Sequence, residues 1–238
     1  DMVGSIAHGL AQQYLKRGQT CLAIGYDARI NSPLYASIIQ DVCESYGLDV
    51  TIIGCCSSPM LYYIARDFSG NGVMVTASHN PKTDNGIKWI VQGEPPTPEM
   101  IQHVATDAKH HFVPKKSVTP LELPHQILPQ YCLQYQHALL ADIQLQAPIK
   151  IVLDGMHGSA GRCANLVLNK LGCEVSALRC VANGEFPDHA PDPSQIAHLS
   201  QLRNAVVSQQ ADIGIALDGD GDRLVLIDAQ GTVITADR

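Results

Sequence analysis

Several signatures are missing from this sequence, and each absence removes a class of function. No apolar run reaches the roughly 18 residues of a membrane span. Lys and Arg total 16 against 23 Asp and Glu, a net charge of −7, whereas a general binder of nucleic acid carries an excess of positive charge. The eight cysteines, Cys21, Cys43, Cys55, Cys56, Cys132, Cys163, Cys173 and Cys180, show no CxxC or Cys/His spacing, which argues against a structural zinc site. They sit in apolar stretches and read as reduced, buried thiols of a cytoplasmic protein. No basic-then-apolar leader opens the chain, so no export signal is expected. Asp1 stands first and Arg238 follows a strand-like run, so the sequence reads as a piece of something longer.

What is present suits a folded globular protein. Of the 238 residues, 45% are hydrophobic and 16% charged, enough apolar material for a packed core in one large domain or two modest ones. Both half-chains alternate strand-like and helix-like segments. In the first half, helices are expected near 1–17, 34–46, 59–68 and 97–110, with strands at 20–26, 48–53, 72–76 and 87–91. Residues 113–129 hold four prolines and little periodicity, the look of a linker. The second half restarts with a helix at 130–140 and a strand at 150–153. A helix from about 158 to 171, a strand at 173–178, a helix at 199–209 and a strand at 212–217 follow. A hairpin of 224–228 and 233–236 turns at Gln230-Gly231. The expected architecture is two consecutive three-layer α/β domains with mixed sheets, 1–118 and 130–238, joined by a Pro-rich linker at 119–129.

Two loops are the candidates to carry chemistry, against the plainer readings of a loop hydroxyl and a polar hairpin. The first reads Thr76-Ala-Ser78-His79-Asn80-Pro81 and runs on to Asn85-Gly86-Ile87-Lys88. An apolar strand ends at Thr76, which delivers Ser78 to the edge of a sheet, where open α/β sheets place their ligands. Pro81 and Asn85-Gly86 enforce irregular backbone whose N–H groups can face an anion, with His79 and Lys88 close by. No GxSxG elbow surrounds Ser78, so a hydrolase triad is not supported. The second loop reads Asp218-Gly219-Asp220-Gly221-Asp222-Arg223. Three carboxylates at alternate positions are costly to gather without a cation, and the intervening glycines let them converge on one hard ion, most simply Mg²⁺. An EF-hand is disfavoured because Arg223 replaces the required glycine and Ala229 stands where the bidentate Glu belongs.

Three further segments are less specific. Asp154-Gly155-Met156-His157-Gly158 opens a Gly-rich strand-to-helix turn without the G-x-G-x-x-G or P-loop spacing. Asp27 and Arg29 follow the first strand and suit either a structural or an anion-binding role. The His/Asp-bearing loop at 187–193 reads as architecture. A serine loop combined with a three-carboxylate loop is an inventory for phosphoryl transfer, with Lys88 and Arg223 offsetting charge.

The paired loops, in this order and about 140 residues apart, resemble those of the α-D-phosphohexomutase family, in its bacterial phosphomannomutase/phosphoglucomutase branch. The phosphoserine loop T-[AG]-S-H-N-P-x-x-x-N-G-x-K is matched by Thr76 to Lys88, and the metal loop D-G-D-G-D-R by Asp218 to Arg223. Gly25-Tyr-Asp27-Ala-Arg29 and Asn183-Gly-Glu-Phe-Pro-Asp-His-Ala-Pro-Asp-Pro-Ser194 extend the likeness. The resemblance implies the first two of four domains. It implies Ser78 as the phosphorylated residue, and Asp218, Asp220 and Asp222, with an oxygen of phosphorylated Ser78, as the Mg²⁺ ligands. Lys88 and Arg223 would lie near the transferring phosphoryl group, Lys88 as a candidate for proton transfer, with His79 and Asn80 around the serine. The implied reaction interconverts hexose 1-phosphate and hexose 6-phosphate of mannose or glucose through a bound hexose 1,6-bisphosphate. Neither nucleic acid nor membrane is an expected partner, and oligomeric state is not legible. Phosphoglucosamine mutase is the nearest sibling reading, and binding of sugar phosphate without turnover is the non-enzymatic one. A haloacid-dehalogenase-like phosphatase, with Asp218 as nucleophile, is opposed by Asp222 where Thr or Val is expected. Departures from the family pattern are Ser57-Ser58-Pro59 in place of P-T-P, and His157 in place of Asn in D-A-G-N-G. The arginine-bearing segment that usually precedes Asp1 is also missing.

Overall fold

A computed structural model describes residues 2–110 and 126–234. The expected end of the first unit at 118 and most of the expected linker lie outside the described residues.

The first half places α1 (Met2–Lys16), β1 (Cys21–Tyr26), α2 (Ser32–Ser45), β2 (Asp49–Cys55) and α3 (Ser58–Ile64) in turn. A 3₁₀ turn at Ala65–Phe68, β3 (Gly72–Val75), β4 (Ile87–Ile90) and α4 (Pro98–His110) follow. The second half contains α5 (Pro129–Leu140), β5 (Lys150–Asp154), α6 (Gly161–Lys170) and β6 (Glu174–Leu178). It ends with α7 (Ser200–Gln209), β7 (Ile213–Leu217), β8 (Leu224–Asp228) and β9 (Val233–Ile234). Local chemistry explains several bounds. Pro33 sits in the first turn of α2, where its missing N–H costs nothing, and Gly47 at φ +82° stops that helix. β1 is buried on both faces, as its unbroken apolar run requires of a central parallel strand.

The two sheets share one plan. The first runs β2-β1-β3-β4 and the second β6-β5-β7-β8-β9. In each, the first three strands are parallel and the next is antiparallel. The loop from β3 to β4 and the loop from β7 to β8 therefore occupy equivalent positions in the two units.

Helices α1, α2 and α4 cover one face of the first sheet, through a core that includes Leu10, Tyr14, Ile24, Ile39 and Val104. The other face packs Ile53, Met60, Leu61 and Met74 against Cys163 and Val167 of α6. The second unit thus contributes a helix to the apolar layer of the first, and this shared layer holds the two loops in register. Residues 158–160, expected to be helical, instead form part of a turn in which Met156 and His157 adopt φ +45° and +60°. Ser159 N–H donates to the Gly219 carbonyl at 3.0 Å there, so contact with the aspartate loop takes these residues out of the helix.

All eight cysteines are free. Burial pushes the Cys43, Cys55 and Cys163 thiols up to about 12. Since the thiolate is the reactive form, these three should stay unmodified by a disulfide reagent at pH 8 in the native chain and react fully after denaturation. Peptide mapping checks this, and rapid native labelling of Cys55 or Cys163 would contradict the packing. No described helix is long and apolar enough to cross a membrane.

Candidate active site

Ser78 leaves the end of β3 in a left-handed conformation, φ +53°, which a non-glycine residue adopts only where its surroundings impose it. Those surroundings are visible. Thr76 N–H donates to the Gly86 carbonyl at 2.9 Å, closing the loop at its base. Ser78 N–H donates to Thr76 Oγ1, whose hydroxyl donates to Asp27 Oδ2, each at 2.8 Å.

The aspartate loop leaves β7 and folds back on itself. The backbone N–H groups of Asp222 and Arg223 donate to Asp218 Oδ1, both at 3.1 Å, and Gly221 takes φ +68° to permit the turn. Gly219 is obligatory for a second reason. A Cβ there would stand 2.3 Å from the Ser78 carbonyl oxygen, so only a residue without a side chain allows the two loops to touch.

At this meeting point Ser78 Oγ donates to Asp218 Oδ2 at 2.6 Å and accepts from Arg223 Nη2. The Arg223 guanidinium also pairs with Asp218 and meets His79 Nδ1. Lys88, on β4, bridges Asp220 Oδ2 at 2.8 Å and Asp222 Oδ2 at 2.7 Å. The seven residues expected from sequence are thus drawn into one cluster, with His79 joined to it through Arg223.

The three carboxylates present oxygens that lie within 4.8 Å of one another. Asp218 and Asp220 are fully buried. Burial raises Asp218 above the usual carboxylate range, and the neighbouring charge of Asp220 adds to it, although the Ser78 hydrogen bond opposes both. For Asp220 burial pulls upward as well, but hydrogen bonds from Lys88 and Ser58 prevail and hold it low. Lys88 is raised, because its bonds to Asp220 and Asp222 outweigh burial. One buried oxygen, Asp220 Oδ1, has no hydrogen-bond partner, and such an orphan carries a free-energy cost. A hard divalent cation takes oxygens at about 2.0–2.6 Å, so it would span gaps of this size and satisfy that atom. The donor set fits Mg²⁺.

Two family descriptions cover most of the chain. Phosphoglucomutase/phosphomannomutase alpha/beta/alpha domain I matches residues 1–112, and domain II of the same family matches residues 130–231. The chain belongs to the phosphoglucomutase/phosphomannomutase family. A phosphomannomutase/phosphoglucomutase of Pseudomonas aeruginosa is 37% identical over 235 residues, spanning 98% of this chain and 49% of that protein. A phosphoglucomutase of Neisseria meningitidis is 34% identical over 238 residues, with 98% and 50% covered. A family member of known structure from Burkholderia thailandensis superposes with a TM-score of 0.87 at 27% identity, covering 100% of this chain and 53% of that one. The chain spans about half the length of the curated relatives it matches.

Within this family frame, the departures in local sequence keep structural partners. Ser58, in the Ser57-Ser58-Pro59 turn, gives both its N–H (2.8 Å, to the Asp220 carbonyl) and its hydroxyl (to Asp220 Oδ2) to the aspartate loop. His157 pairs with Asp188 at 3.1 Å, while Ser159 of its turn bonds to the Gly219 carbonyl. The 187–193 loop abuts the same glycine through Pro191. Sequence reasoning left Arg29 ambiguous and did not connect Ser58 or Thr76 to the site. Each lay in a segment set against the family pattern, Arg29 in Gly25–Arg29, Ser58 in the turn that stands in place of P-T-P, and Thr76 as the first residue of the serine motif.

Proposed function

We propose that this chain supplies the phosphoserine and metal-binding portion of an enzyme that interconverts hexose 1-phosphate and hexose 6-phosphate of mannose or glucose. Ser78, phosphorylated at rest, gives its phosphoryl group to the free hydroxyl of the hexose phosphate. The resulting hexose 1,6-bisphosphate reorients and returns its other phosphoryl group to Ser78. Asp218, Asp220 and Asp222, with an oxygen of the phosphorylated serine, would hold Mg²⁺, which when bound neutralises phosphoryl charge.

The observation that carries this reading is the junction of the two loops, where Ser78 Oγ lies 2.6 Å from Asp218 Oδ2. The hydroxyl proton already points at a carboxylate, and the Arg223 guanidinium rests on the same oxygen. Arg223 is therefore placed to attract a phosphoryl group arriving at Ser78 Oγ. Lys88 is held by carboxylates beside the serine and is the candidate to exchange a proton with the sugar hydroxyl. The names carried by the relatives agree with a mutase.

Intact and peptide mass spectrometry after incubation with a hexose 1,6-bisphosphate tests it directly. Phosphate should appear on the Ser78 peptide in Mg²⁺ and fall sharply in EDTA. Hexose phosphate binding without any label would favour a binding role for this chain, and label on Asp218 would favour phosphatase-type chemistry.

A further inference from the structure

The largest fully buried charged side chain near the site makes no hydrogen bond to the carboxylates of the aspartate loop or to the Ser78 hydroxyl. Arg29 follows β1 and is 1% exposed. All five of its guanidinium N–H donors find acceptors. Nε donates to Asp27 Oδ2 at 3.0 Å; Nη1 to the carbonyls of Pro81 (2.6 Å) and Asp84 (3.2 Å); Nη2 to those of Ser78 and Asn80, both at 2.8 Å. Four carbonyls of the serine loop are thereby gathered on one planar cation. Lysine, with a single nitrogen, cannot reproduce that fork.

The other unit closes over this clamp. The Phe186 ring lies 5.4 Å from the Arg29 guanidinium carbon, within cation–π range, and is itself buried. Phe186 takes φ +41° to reach this position. Gly184 passes so close that a Cβ would meet the Ala28 carbonyl oxygen at 2.3 Å. At the rim, Lys82 of the serine loop pairs with Glu185 at 2.8 Å.

The geometry points to Arg29 as a positioning residue for Ser78, sealed by Phe186, so that docking of the second unit's 183–186 turn sets the conformation in which the serine loop accepts phosphate. The clamp explains how Ser78 sustains a positive φ, since its own carbonyl is one of the four held. It also couples the two units at a place apart from the α6 layer and the contact at Gly219. This inference rests on the reading of Ser78 as the phosphoryl acceptor.

Two variants and two readouts test it. Arg29→Lys keeps the charge and removes the fork, while Gly184→Ala leaves Arg29 intact and lifts the 183–186 turn. The first readout is the rate of phosphoryl uptake at Ser78 across hexose 1,6-bisphosphate concentrations; the second is hydrogen exchange of peptides spanning 76–86. A misplacement of about 1 Å costs up to ~100-fold in rate, so Arg29→Lys should slow uptake at saturation by at least ~10-fold with an unchanged half-saturating concentration. Gly184→Ala should slow it by roughly 3-fold or more by the same argument. Both should speed exchange in 76–86 and leave peptides from β5 and β7 at wild-type rates. Wild-type uptake in both variants would overturn the proposal, as would a global rise in exchange. If the unmodified chain takes up no phosphate, the Ser78 reading fails and exchange alone decides the clamp, which unchanged rates in 76–86 would refute.

Discussion

Replacing Ser78 with alanine should cut phosphoryl uptake from a hexose 1,6-bisphosphate by at least ~10³-fold, because no other hydroxyl can take the place of a lost nucleophile. The same change should move stability little, within about 1 kcal/mol. Ser78 belongs to no apolar cluster of the core, and Asp218 keeps Arg223 and two backbone N–H donors without it. The comparison therefore separates chemistry from folding. Mass spectrometry of the Ser78 peptide supplies the first measurement and thermal unfolding the second. Wild-type uptake by the alanine variant would remove Ser78 from the mechanism. A threonine there is the informative third variant. It restores a hydroxyl, yet a β-branched residue resists φ +53°, so uptake should recover only in part.

Replacing Asp220 with alanine should weaken Mg²⁺ binding by roughly 100-fold or more, since losing a group that merely orients a ligand costs 10–100-fold and Asp220 would contribute an oxygen itself. Isothermal calorimetry reads this, and an unchanged affinity would refute the metal assignment. Stability should also fall. Asp220 is buried and anchors both Lys88 and Ser58, and a buried ion pair broken on one side costs up to about 3–5 kcal/mol. The cost should sit below that range, because Lys88 is a third exposed and retains Asp222. Acidification should act through a different member of the trio. Asp218 is held above the usual carboxylate range by burial and by its acidic neighbour, so it takes up a proton before Asp220 as pH falls. Mg²⁺ affinity should then decline through Asp218 while Asp220, held low by Lys88 and Ser58, is still ionised.

Legibility from sequence followed the range of the forces involved. The Asn31-Ser32-Pro33 start of α2, the Gly47 stop and the buried apolar run of β1 depend on neighbours within a few positions, and they were readable. So were the two loops, whose glycines and carboxylates make sense only as a gathered set. The start of α6 was misplaced by three residues, because Ser159 bonds to the Gly219 carbonyl, 60 positions away. Arg29 was ambiguous for the same reason: four of its five acceptors lie about fifty residues downstream.

By itself the sequence determined the α/β alternation, the likeness of its two halves and the chemical inventory of serine, three aspartates, lysine and arginine. Those properties are local, written in periodicity and in residue type. Tertiary structure alone decided that the inventory forms one site. Two sheets of the same plan present equivalent loops, α6 locks the sheets through a shared apolar layer, and Gly219 lets one backbone rest against the other. The hydrogen bond from Ser78 to Asp218 exists because that packing brings together atoms whose positions no local preference could relate.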